Sequence, residues 1–226
     1  MSIEALNYDD RGLVAVIAQD AETGEVRMMA YADPVAVQET LRTGVAHFHS
    51  RRRNKLWKKG ESSGNILRVR SVWVDCDGDT LIYMVDPEGP SCHTGAETCF
   101  FRRLDAEGGL VQHEQDSSAP TLLRLERTLL ERKSSDAGTS YTKSLLDGGA
   151  SKVDEKVREE AAELGRALIN ESDQRVTSEA GDVLYHLLVG LVLREVPLRA
   201  LLAELSGRFG TSGHREKASR SRRGLS

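Results

Sequence analysis

Three cysteines are the residues of this chain whose type most directly suggests chemistry. They are Cys76, Cys92 and Cys99. The amino terminus lacks the basic and apolar regions of a secretory signal. In a chain without such a signal, an odd number of cysteines favours free thiols or metal ligands over disulfides. Three thiolates with one open position suit a catalytic Zn²⁺, which needs a vacant site for water. Ordinary buried cysteines are also common, so both interpretations stay open from the residues alone.

Cys76 lies inside a cluster of three aspartates, Asp75, Asp77 and Asp79. Alternate positions on an extended strand would place all three carboxylates on one face. Like charges so close together are unfavourable unless they are solvated or neutralised by a hard cation such as Mg²⁺. The competing interpretation is a β-hairpin whose turn falls at Asp77-Gly78, since turns favour aspartate.

A basic segment precedes this cluster. Six positive charges fall within residues 51–59, and Trp57 lies among them. Basic groups and a stacking aromatic are also what RNA binding uses, and a solvated charge run is the other alternative. However, the hydroxyl and amide groups of residues 60–65 can bind a phosphate, and Trp57 can stack on a base. Because the net charge of the chain is −4, we favour one small phosphorylated ligand. The candidate binding residues are Ser50, Arg51, Lys55, Trp57, Lys59, Ser62 and Ser63.

A second group of carboxylates falls at helical spacing in the other half of the chain. Glu160 has apolar residues three positions before it and four after it, so on a helix it lies within an apolar stripe. Glu163 follows at the border of that stripe, and Glu179 and Asp182 repeat the i, i+3 spacing. A charge-rich helix is usually a solvated face. A carboxylate within an apolar stripe is costly unless paired or metal-bound, and two such helices can hold Mg²⁺ between them.

The first half of the chain is predicted to be rich in strands. Short β-branched and aromatic runs alternate there with Gly, Asp and Pro, at residues 14–17, 26–31, 67–70 and 81–85. A helix is predicted from Asp33-Pro34 to about Arg42, because an aspartate cap followed by proline starts helices well.

The pattern changes near residue 115. Residues 112–120 have no apolar periodicity, and helical periodicity dominates beyond them. The apolar stripes are Leu122, Leu125, Leu129 and Leu130; Val153, Val157, Leu164 and Leu168; and Val183, Leu184, Leu187, Leu188, Leu191 and Val192. Pro197-Leu198 opens a last helix that ends near Phe209-Gly210. The predicted fold is therefore α+β, with a β-rich domain at 1–114, a linker at 115–120 and an all-α domain at 121–226 that ends in a basic tail.

Length and composition bound the class of protein. A chain of 226 residues can form one large domain or two ordinary ones. With 39% hydrophobic and 29% charged residues, it has the composition of a globular protein. Its mild net charge gives no electrostatic reason to expect a nucleic-acid or membrane partner. No apolar run approaches the ~20 residues that span a bilayer. We expect a cytoplasmic protein with small-molecule ligands.

Three segments of the first half, SRRRNKLWKKGESSGN, DCDGD and GPSCHTGAETCF, resemble phosphoribosyl-AMP cyclohydrolase over about residues 10–113. The resemblance implies a homodimer in which zinc is held by the three cysteines through a ligand set shared across the subunit interface. It also implies magnesium at the three aspartates. Hydroxide from a zinc-bound water would attack C6 of the adenine and open the ring at N1–C6. His93 would transfer a proton or orient a metal ligand.

In the second half, EExxE at residues 159–163 and ExxD at 179–182 resemble the all-α nucleotide pyrophosphohydrolases. The segments SYTKSLLDG and GDVLYH narrow this to phosphoribosyl-ATP pyrophosphohydrolase, over about residues 121–218. The resemblance implies Mg²⁺ that bridges the triphosphate and orients a water for attack at the α–β anhydride, with Glu160 as the candidate catalytic group. The implied metal ligands are Glu159, Glu160, Glu163, Glu179 and Asp182. Lys152 and Lys156 are candidate phosphate contacts.

Together the two resemblances imply two consecutive hydrolytic steps of histidine biosynthesis on one chain, with pyrophosphate release first and ring opening second. One alternative is a nucleotide pyrophosphohydrolase whose first domain is a zinc-stabilised, non-catalytic module. An RNA-binding protein that uses residues 51–59 is the alternative from another class, and it predicts steep salt dependence.

Overall fold

A computed structural model describes residues 3–111, 118–134 and 140–209. Within it the chain divides into two compact units, with the boundary between Pro120 and Thr121. Residues 112–117 of the predicted linker segment and the basic tail at 215–226 lie outside the described residues.

A six-stranded sheet forms the first unit. Its strands are β1 (Val14–Asp20), β2 (Val26–Ala32), β3 (His47–Ser50), β4 (Lys55–Lys58), β5 (Leu67–Val74) and β6 (Thr80–Pro87). They lie in the order β4-β3-β2-β1-β6-β5, with β1 parallel to β6 and the other neighbours antiparallel. The four predicted strands are confirmed as β1, β2, β5 and β6. The two strands of the basic segment, β3 and β4, lack the apolar alternation that predicts a strand.

The core of this unit lies on one face of the sheet. Every second residue of β1 is buried, as the two-residue period of a strand requires. Val16 packs in this core with Phe48 of β3 and Tyr83 of β6, and the rings of Phe48 and Tyr83 stack with their centroids 5.9 Å apart. β3 is therefore fixed by its buried phenylalanine, although its neighbours in sequence are charged.

The predicted helix is confirmed as α1 (Pro34–Thr43), which packs against β3. The Asp33 carboxylate accepts a hydrogen bond from Ala36 N at 2.7 Å and caps its first turn. Gly44, at φ +67°, ends it in the left-handed conformation that glycine adopts without strain. A short pair of strands, β7 (Arg103–Leu104) and β8 (Leu110–Val111), follows the main sheet.

The described residues of the second unit form five helices. They are α2 (Thr121–Ser134), α3 (Tyr141–Asp147), α4 (Gly149–Asn170), α5 (Asp173–Leu193) and α6 (Leu198–Ser206). The two long helices, α4 and α5, pack against each other, while α2 and α3 pack against this pair and α6 packs against α2. The all-α character predicted for the second half is thus confirmed.

The predicted apolar stripes are only partly buried. In α2 the buried positions are Leu123, Glu126 and Leu129, whereas Leu122 and Leu130 are exposed. In the long helices, Leu168 and Leu184 are also exposed. Periodicity predicts which side of a helix is apolar. Where the apolar stripe is wider than the surface that packs against it, the residues at its edges stay exposed to solvent.

By length and composition, α5 meets the criterion for a membrane-crossing helix, contrary to the expectation that no apolar run approaches that length. Only 28% of its most apolar stretch is buried. This is weak evidence, because core helices of soluble proteins pass the same test. Within its length α5 carries Glu179 and Asp182, and it packs along α4.

The first expected outcome concerns Glu126, which caps α6 from α2. Its buried carboxylate accepts a hydrogen bond from Leu198 N, and α6 has no side-chain cap of its own. Leaving a buried N–H without an acceptor costs about 1–3 kcal/mol. We expect Glu126→Ala to lower the free energy of unfolding of the helical unit by that amount, as measured by circular dichroism in urea. The exposed Glu131 of the same helix provides the control, and equal effects of Glu131→Ala and Glu126→Ala would contradict the cap.

A second outcome concerns Gly60, at φ +84°, where a Cβ would lie 2.7 Å from the backbone carbonyl of Asn65. Gly64 has a similar φ of +77°, but nothing lies within 4 Å of its Cβ position. Left-handed backbone costs a non-glycine residue about 1–2 kcal/mol. We expect Gly64→Ala to destabilise the first unit by about that amount and Gly60→Ala to destabilise it clearly more, because backbone atoms must also move.

Both tryptophans of the chain, Trp57 and Trp73, belong to the first unit. Tryptophan fluorescence in denaturant therefore measures this difference without a contribution from the helices. Equal destabilisation by the two glycine substitutions would show that the Gly60–Asn65 contact is not maintained in solution.

Candidate active sites

Two of the three cysteines lie side by side in the irregular loop that follows β6. The thiols of Cys92 and Cys99 are close enough for each to shift the pKa of the other. A hydrogen bond from Thr94 Oγ1, 3.1 Å from Cys92 Sγ, lowers the pKa of the Cys92 thiol. Desolvation and the neighbouring Cys92 raise the pKa of Cys99 to about 11. The pair therefore offers two thiols of different acidity on one loop.

The third cysteine lies apart from this pair. Cys76 is exposed in the turn between β5 and β6. Among the described residues, no cluster of ligand atoms within 4.8 Å of one another contains all three cysteines. Within one chain, the predicted three-thiolate set is not assembled.

The three aspartates are gathered, although not in the predicted way. Asp75, Asp77 and Asp79 lie in the hairpin turn between β5 and β6, so the prediction of one strand face is wrong and the competing turn prediction is confirmed. Their carboxylate oxygens nevertheless come within 4.8 Å of one another. Gly78, at φ +79°, makes the tight turn that brings them together.

Backbone donors partly compensate the charge of this turn. Asp75 Oδ1 accepts hydrogen bonds from Gly78 N at 2.9 Å and Thr80 N at 3.2 Å. Desolvation raises the pKa of Asp75, but the hydrogen bonds from Thr80 and Gly78 outweigh it and hold the pKa below its usual range. All three aspartates are exposed, and the turn can present several oxygens to a hard cation.

A cavity of about 510 Å³ joins the cysteine pair to the glycine- and serine-rich loop. Of the predicted site residues, its lining contains Trp57, Lys59, Ser62, Ser63, Cys92, His93 and Cys99. His93 Nδ1 lies 3.9 Å from Cys92 Sγ. The structure thus brings an aromatic ring, two hydroxyl residues and a histidine to the same cavity as the thiol pair.

The remaining predicted residues of the basic segment lie elsewhere. Ser50 and Arg51 line an adjacent cavity of about 330 Å³, which shares Trp57 with the first. The Arg51 guanidinium stacks 4.0 Å from the centre of the Tyr31 ring. Lys55 is exposed on β4 and lines neither of these two cavities.

Lys59 differs from the solvated lysine that the sequence suggests. It is 7% exposed, and its Nζ donates a hydrogen bond to Asn65 O at 3.0 Å. Burial lowers the pKa of Lys59, while the nearby Cys99 and Cys92 oppose the fall. The side chain therefore ties the ends of the 60–65 loop together beside the thiol pair.

In the helical unit, three of the five predicted ligands come together. Oxygens of Glu160, Glu179 and Asp182 lie within 4.8 Å of one another between α4 and α5. Glu160 and Glu179 are buried, and Asp182 is exposed. Desolvation raises the pKa of Glu179, which the Arg175 guanidinium opposes at 2.6 Å. The cluster has the oxygen donors that Mg²⁺ prefers.

The other two predicted ligands lie outside this cluster. Glu159 points away from the cluster, because it is adjacent to Glu160 and adjacent residues of a helix point about 100° apart. It is exposed and pairs with Lys156 Nζ at 2.7 Å. Glu163 pairs with Arg166 at 3.5 Å and lies close enough to raise the pKa of Glu179. Lys156 also contacts Glu160 Oε1 at 3.1 Å, and Lys152 is exposed on the same helix.

A hydrogen-bonded aromatic group borders the carboxylate cluster. His186 Nδ1 donates a hydrogen bond to Asp182 O at 2.9 Å, and His186 Nε2 shares a hydrogen bond with Tyr141 OH at 3.0 Å. The rings of Tyr141 and Tyr185 stack with centroids 6.4 Å apart. Neither tyrosine is among the predicted site residues, since only the helical contact of α3 with α5 brings them to the site.

Two further residues are missed by sequence reasoning. Arg175, which contacts the buried Glu179, reads as an ordinary surface arginine. Arg27 is 4% exposed in β2 beside the cysteine loop, and its one signal in the sequence is a charge within an otherwise apolar strand.

Comparison with known proteins agrees with this division of sites. Residues 28–101 match the model of the phosphoribosyl-AMP cyclohydrolase family, and residues 122–209 match that of phosphoribosyl-ATP pyrophosphohydrolase. Three relatives are named histidine biosynthesis bifunctional protein HisIE. The protein from Wolinella succinogenes is 40% identical over 96% of this chain and 97% of its own length, and that from Aquifex aeolicus is 43% identical over 90% and 98%. The chloroplastic protein from Arabidopsis thaliana is 38% identical over 97% of this chain and 80% of its own. The chain belongs to the bifunctional histidine-biosynthesis family that joins a phosphoribosyl-AMP cyclohydrolase domain to a phosphoribosyl-ATP pyrophosphohydrolase domain.

Proposed function

We propose that the chain catalyses two consecutive hydrolyses of histidine biosynthesis, each on its own metal site. The helical unit removes pyrophosphate from phosphoribosyl-ATP, and the sheet unit opens the adenine ring of the product at N1–C6. The observation that carries this proposal is that the two units hold chemically different donor sets. The sheet unit has a pair of thiols and a turn of three aspartates, the helical unit has carboxylates from two helices, and each set lies within the segment that matches the corresponding family. A non-catalytic first domain is less favoured, because its thiol pair opens into a cavity with Trp57 and Ser62.

The zinc ion of the ring-opening site would take its ligands from two copies of the chain. Cys92 and Cys99 supply two thiolates from one subunit, and the exposed Cys76 of a second subunit supplies the third. Exposed apolar residues at the end of the edge strand β5, Trp73 and Val74, precede the turn that carries Cys76 and support a subunit contact there. When bound, zinc lowers the pKa of a coordinated water to roughly 7.

The residues of the chain would position the substrate around that metal. Trp57 presents a ring on which adenine can stack, and the hydroxyls of Ser62 and Ser63 can donate to the phosphate. His93, beside Cys92, is placed to move a proton or to orient the ligand. Magnesium would lie at the turn of Asp75, Asp77 and Asp79, where three carboxylates need a hard cation.

The pyrophosphohydrolase site would hold magnesium between Glu160, Glu179 and Asp182. When bound, the ion polarises the phosphoanhydride and neutralises charge that develops on its oxygens. Lys156 forms ion pairs with Glu159 and Glu160. When substrate binds, its ammonium group could contact a phosphate oxygen in place of one of these carboxylates. The small-molecule substrates, the homodimer and the cytoplasmic location stay predictions, as does the expectation of no nucleic-acid or membrane partner.

Substitutions in one unit should stop one reaction only. Loss of an outer partner of a metal ligand already costs roughly 10–100-fold. We expect Cys92→Ala to lower kcat for ring opening by more than that, with pyrophosphate release unchanged, and Glu160→Gln to do the reverse when the two reactions are assayed separately. Glu155→Gln, at an exposed position of the same helix as Glu160, is the matched control. Retention of both activities by both variants would refute these site assignments.

The shared ligand set can be tested by mixing two inactive subunits. A dimer of Cys76→Ala with Cys92→Ala has one site that lacks both cysteines and one intact site. With random assortment, half of the dimers are mixed, so ring opening should recover to about a quarter of the wild-type value.

The control pairs Cys92→Ala with Cys99→Ala, which change the same loop. Every site in that mixed dimer lacks one ligand, so no recovery is expected. Recovery in the control, or none with Cys76→Ala, would contradict a site that takes Cys76 from one subunit and the thiol pair from the other.

A further inference from the structure

A β-bulge in β2 places a charged residue inside the first unit. Ala18 of β1 pairs with Met28, and the next residue, Gln19, pairs with Val26, so Arg27 is the extra residue. Bulges re-aim a side chain and occur next to functional sites. Arg27 is buried at 4% exposure, and its neighbour Met28 lines the cavity of the thiol pair.

The Arg27 guanidinium binds the cysteine loop at several points. Its Nε donates to Ser91 Oγ at 3.1 Å, directly before Cys92. Nη2 donates to Glu97 Oε2 at 2.8 Å and, more weakly, to Gly89 O at 3.4 Å. These contacts bind the loop just before Cys92 and again just before Cys99.

The charge of Arg27 is compensated from the other side. Nη1 donates to Glu25 Oε2 at 3.0 Å, and Glu25 is completely buried. Burying a charge is costly unless it is paired and hydrogen-bonded. A guanidinium whose three nitrogens are all hydrogen-bonded is therefore a fixed point from which the loop can be positioned.

The backbone of β2 adds two contacts to the same loop. Cys99 N donates to Arg27 O at 2.9 Å, and Thr98 Oγ1 donates to Val26 O at 2.7 Å. Residues 91–99 contain no helix or strand, although Ser91 N donates to Glu97 O and Cys92 N to Ala96 O within the loop. The contacts with β2 and Arg27 hold this closed loop, and the two thiols on it, against the sheet. Without these contacts the loop would be less ordered, and the cost of ordering it would reduce the net free energy of metal binding.

We propose that Arg27 is a positioning residue for the metal site, whose guanidinium holds the loop of Cys92 and Cys99 in the arrangement that binds a zinc ion. This inference rests on the zinc site proposed above. It assigns to Arg27 no contact with substrate. Lysine cannot replace it, because a single ammonium lacks the planar fork that reaches Ser91, Glu97 and Glu25 together.

The experiment measures zinc affinity of the full-length protein by competition with a chromophoric chelator. Outer partners of metal ligands contribute roughly 10–100-fold to metal affinity. We expect Arg27→Lys to weaken zinc binding within that range and Glu97→Gln to weaken it less, since the Glu97 side chain is 57% exposed. Cobalt(II) bound in place of zinc should show altered absorption bands in Arg27→Lys, which a purely structural role away from the thiols would not produce.

Arg70→Lys is the matched control. Arg70 is likewise the extra residue of a bulge, in β5, and pairs with two carboxylates, Glu22 and Asp86. It has no hydrogen bond to the cysteine loop among its described contacts. We expect its zinc affinity and cobalt spectrum to match those of the wild-type protein. Pyrophosphate release by the same chains checks that the protein is intact.

Wild-type zinc affinity and an unchanged cobalt spectrum in Arg27→Lys would overturn the inference. Should that variant fail to fold, Glu97→Gln and Ser91→Ala decide, and wild-type affinity in both would equally overturn it. The failure of the proposed metal site has a different signature, because the wild-type protein itself would then bind no zinc at the thiol pair.

Discussion

The gathering of like charges is the constraint on which both sites depend. Two unit charges 4 Å apart interact by roughly 1 kcal/mol in water and about 4 kcal/mol near a protein surface. Each unit nevertheless holds three carboxylates within 4.8 Å. In the sheet unit, backbone N–H groups of the hairpin turn offset the repulsion at Asp75. In the helical unit, Lys156 and Arg175 each contact one buried carboxylate. The remaining repulsion is what a divalent cation would remove.

The scaffolds solve this problem in different ways. A two-stranded turn exposes its aspartates to solvent, and the loop that carries the thiols is irregular, so both depend on contacts with the rigid sheet. The bulge at Arg27 is such a contact. The helical pair needs no loop, because i, i+3 spacing places Glu179 and Asp182 on one side of α5 and the packing of α4 brings Glu160 opposite. Its buried carboxylates are therefore positioned by helix packing together with their ion pairs to Lys156 and Arg175.

The predictions of secondary structure that were confirmed are those for which a local rule was sufficient. The four strands and α1 follow from apolar alternation and from the Asp33-Pro34 cap, both of which act over a few residues. The hairpin at Asp77-Gly78 follows from turn chemistry in the same way. Strands β3 and β4 could not be predicted from the sequence. Phe48 of β3 is buried by contacts with Trp57 of β4 and with Tyr83, which lies far along the chain. The width of the helical stripes was also beyond reach, since exposure of Leu168 depends on what packs beside it.

The sequence by itself determined the chemistry of this protein: which donors exist, that all three thiols fall in the first half, and which residues share a turn or a helix face. Those properties are local, and residue types with their spacing are enough to state them. Tertiary structure alone decided which donors meet. It paired Cys92 with Cys99 and left Cys76 apart, selected Glu160, Glu179 and Asp182 from five acidic candidates, and turned Arg27 toward the cysteine loop. The reason is that the carboxylate cluster and the Arg27 contacts join residues from different elements, while Cys92 and Cys99 meet through a loop without a regular period; only folding brings such residues together.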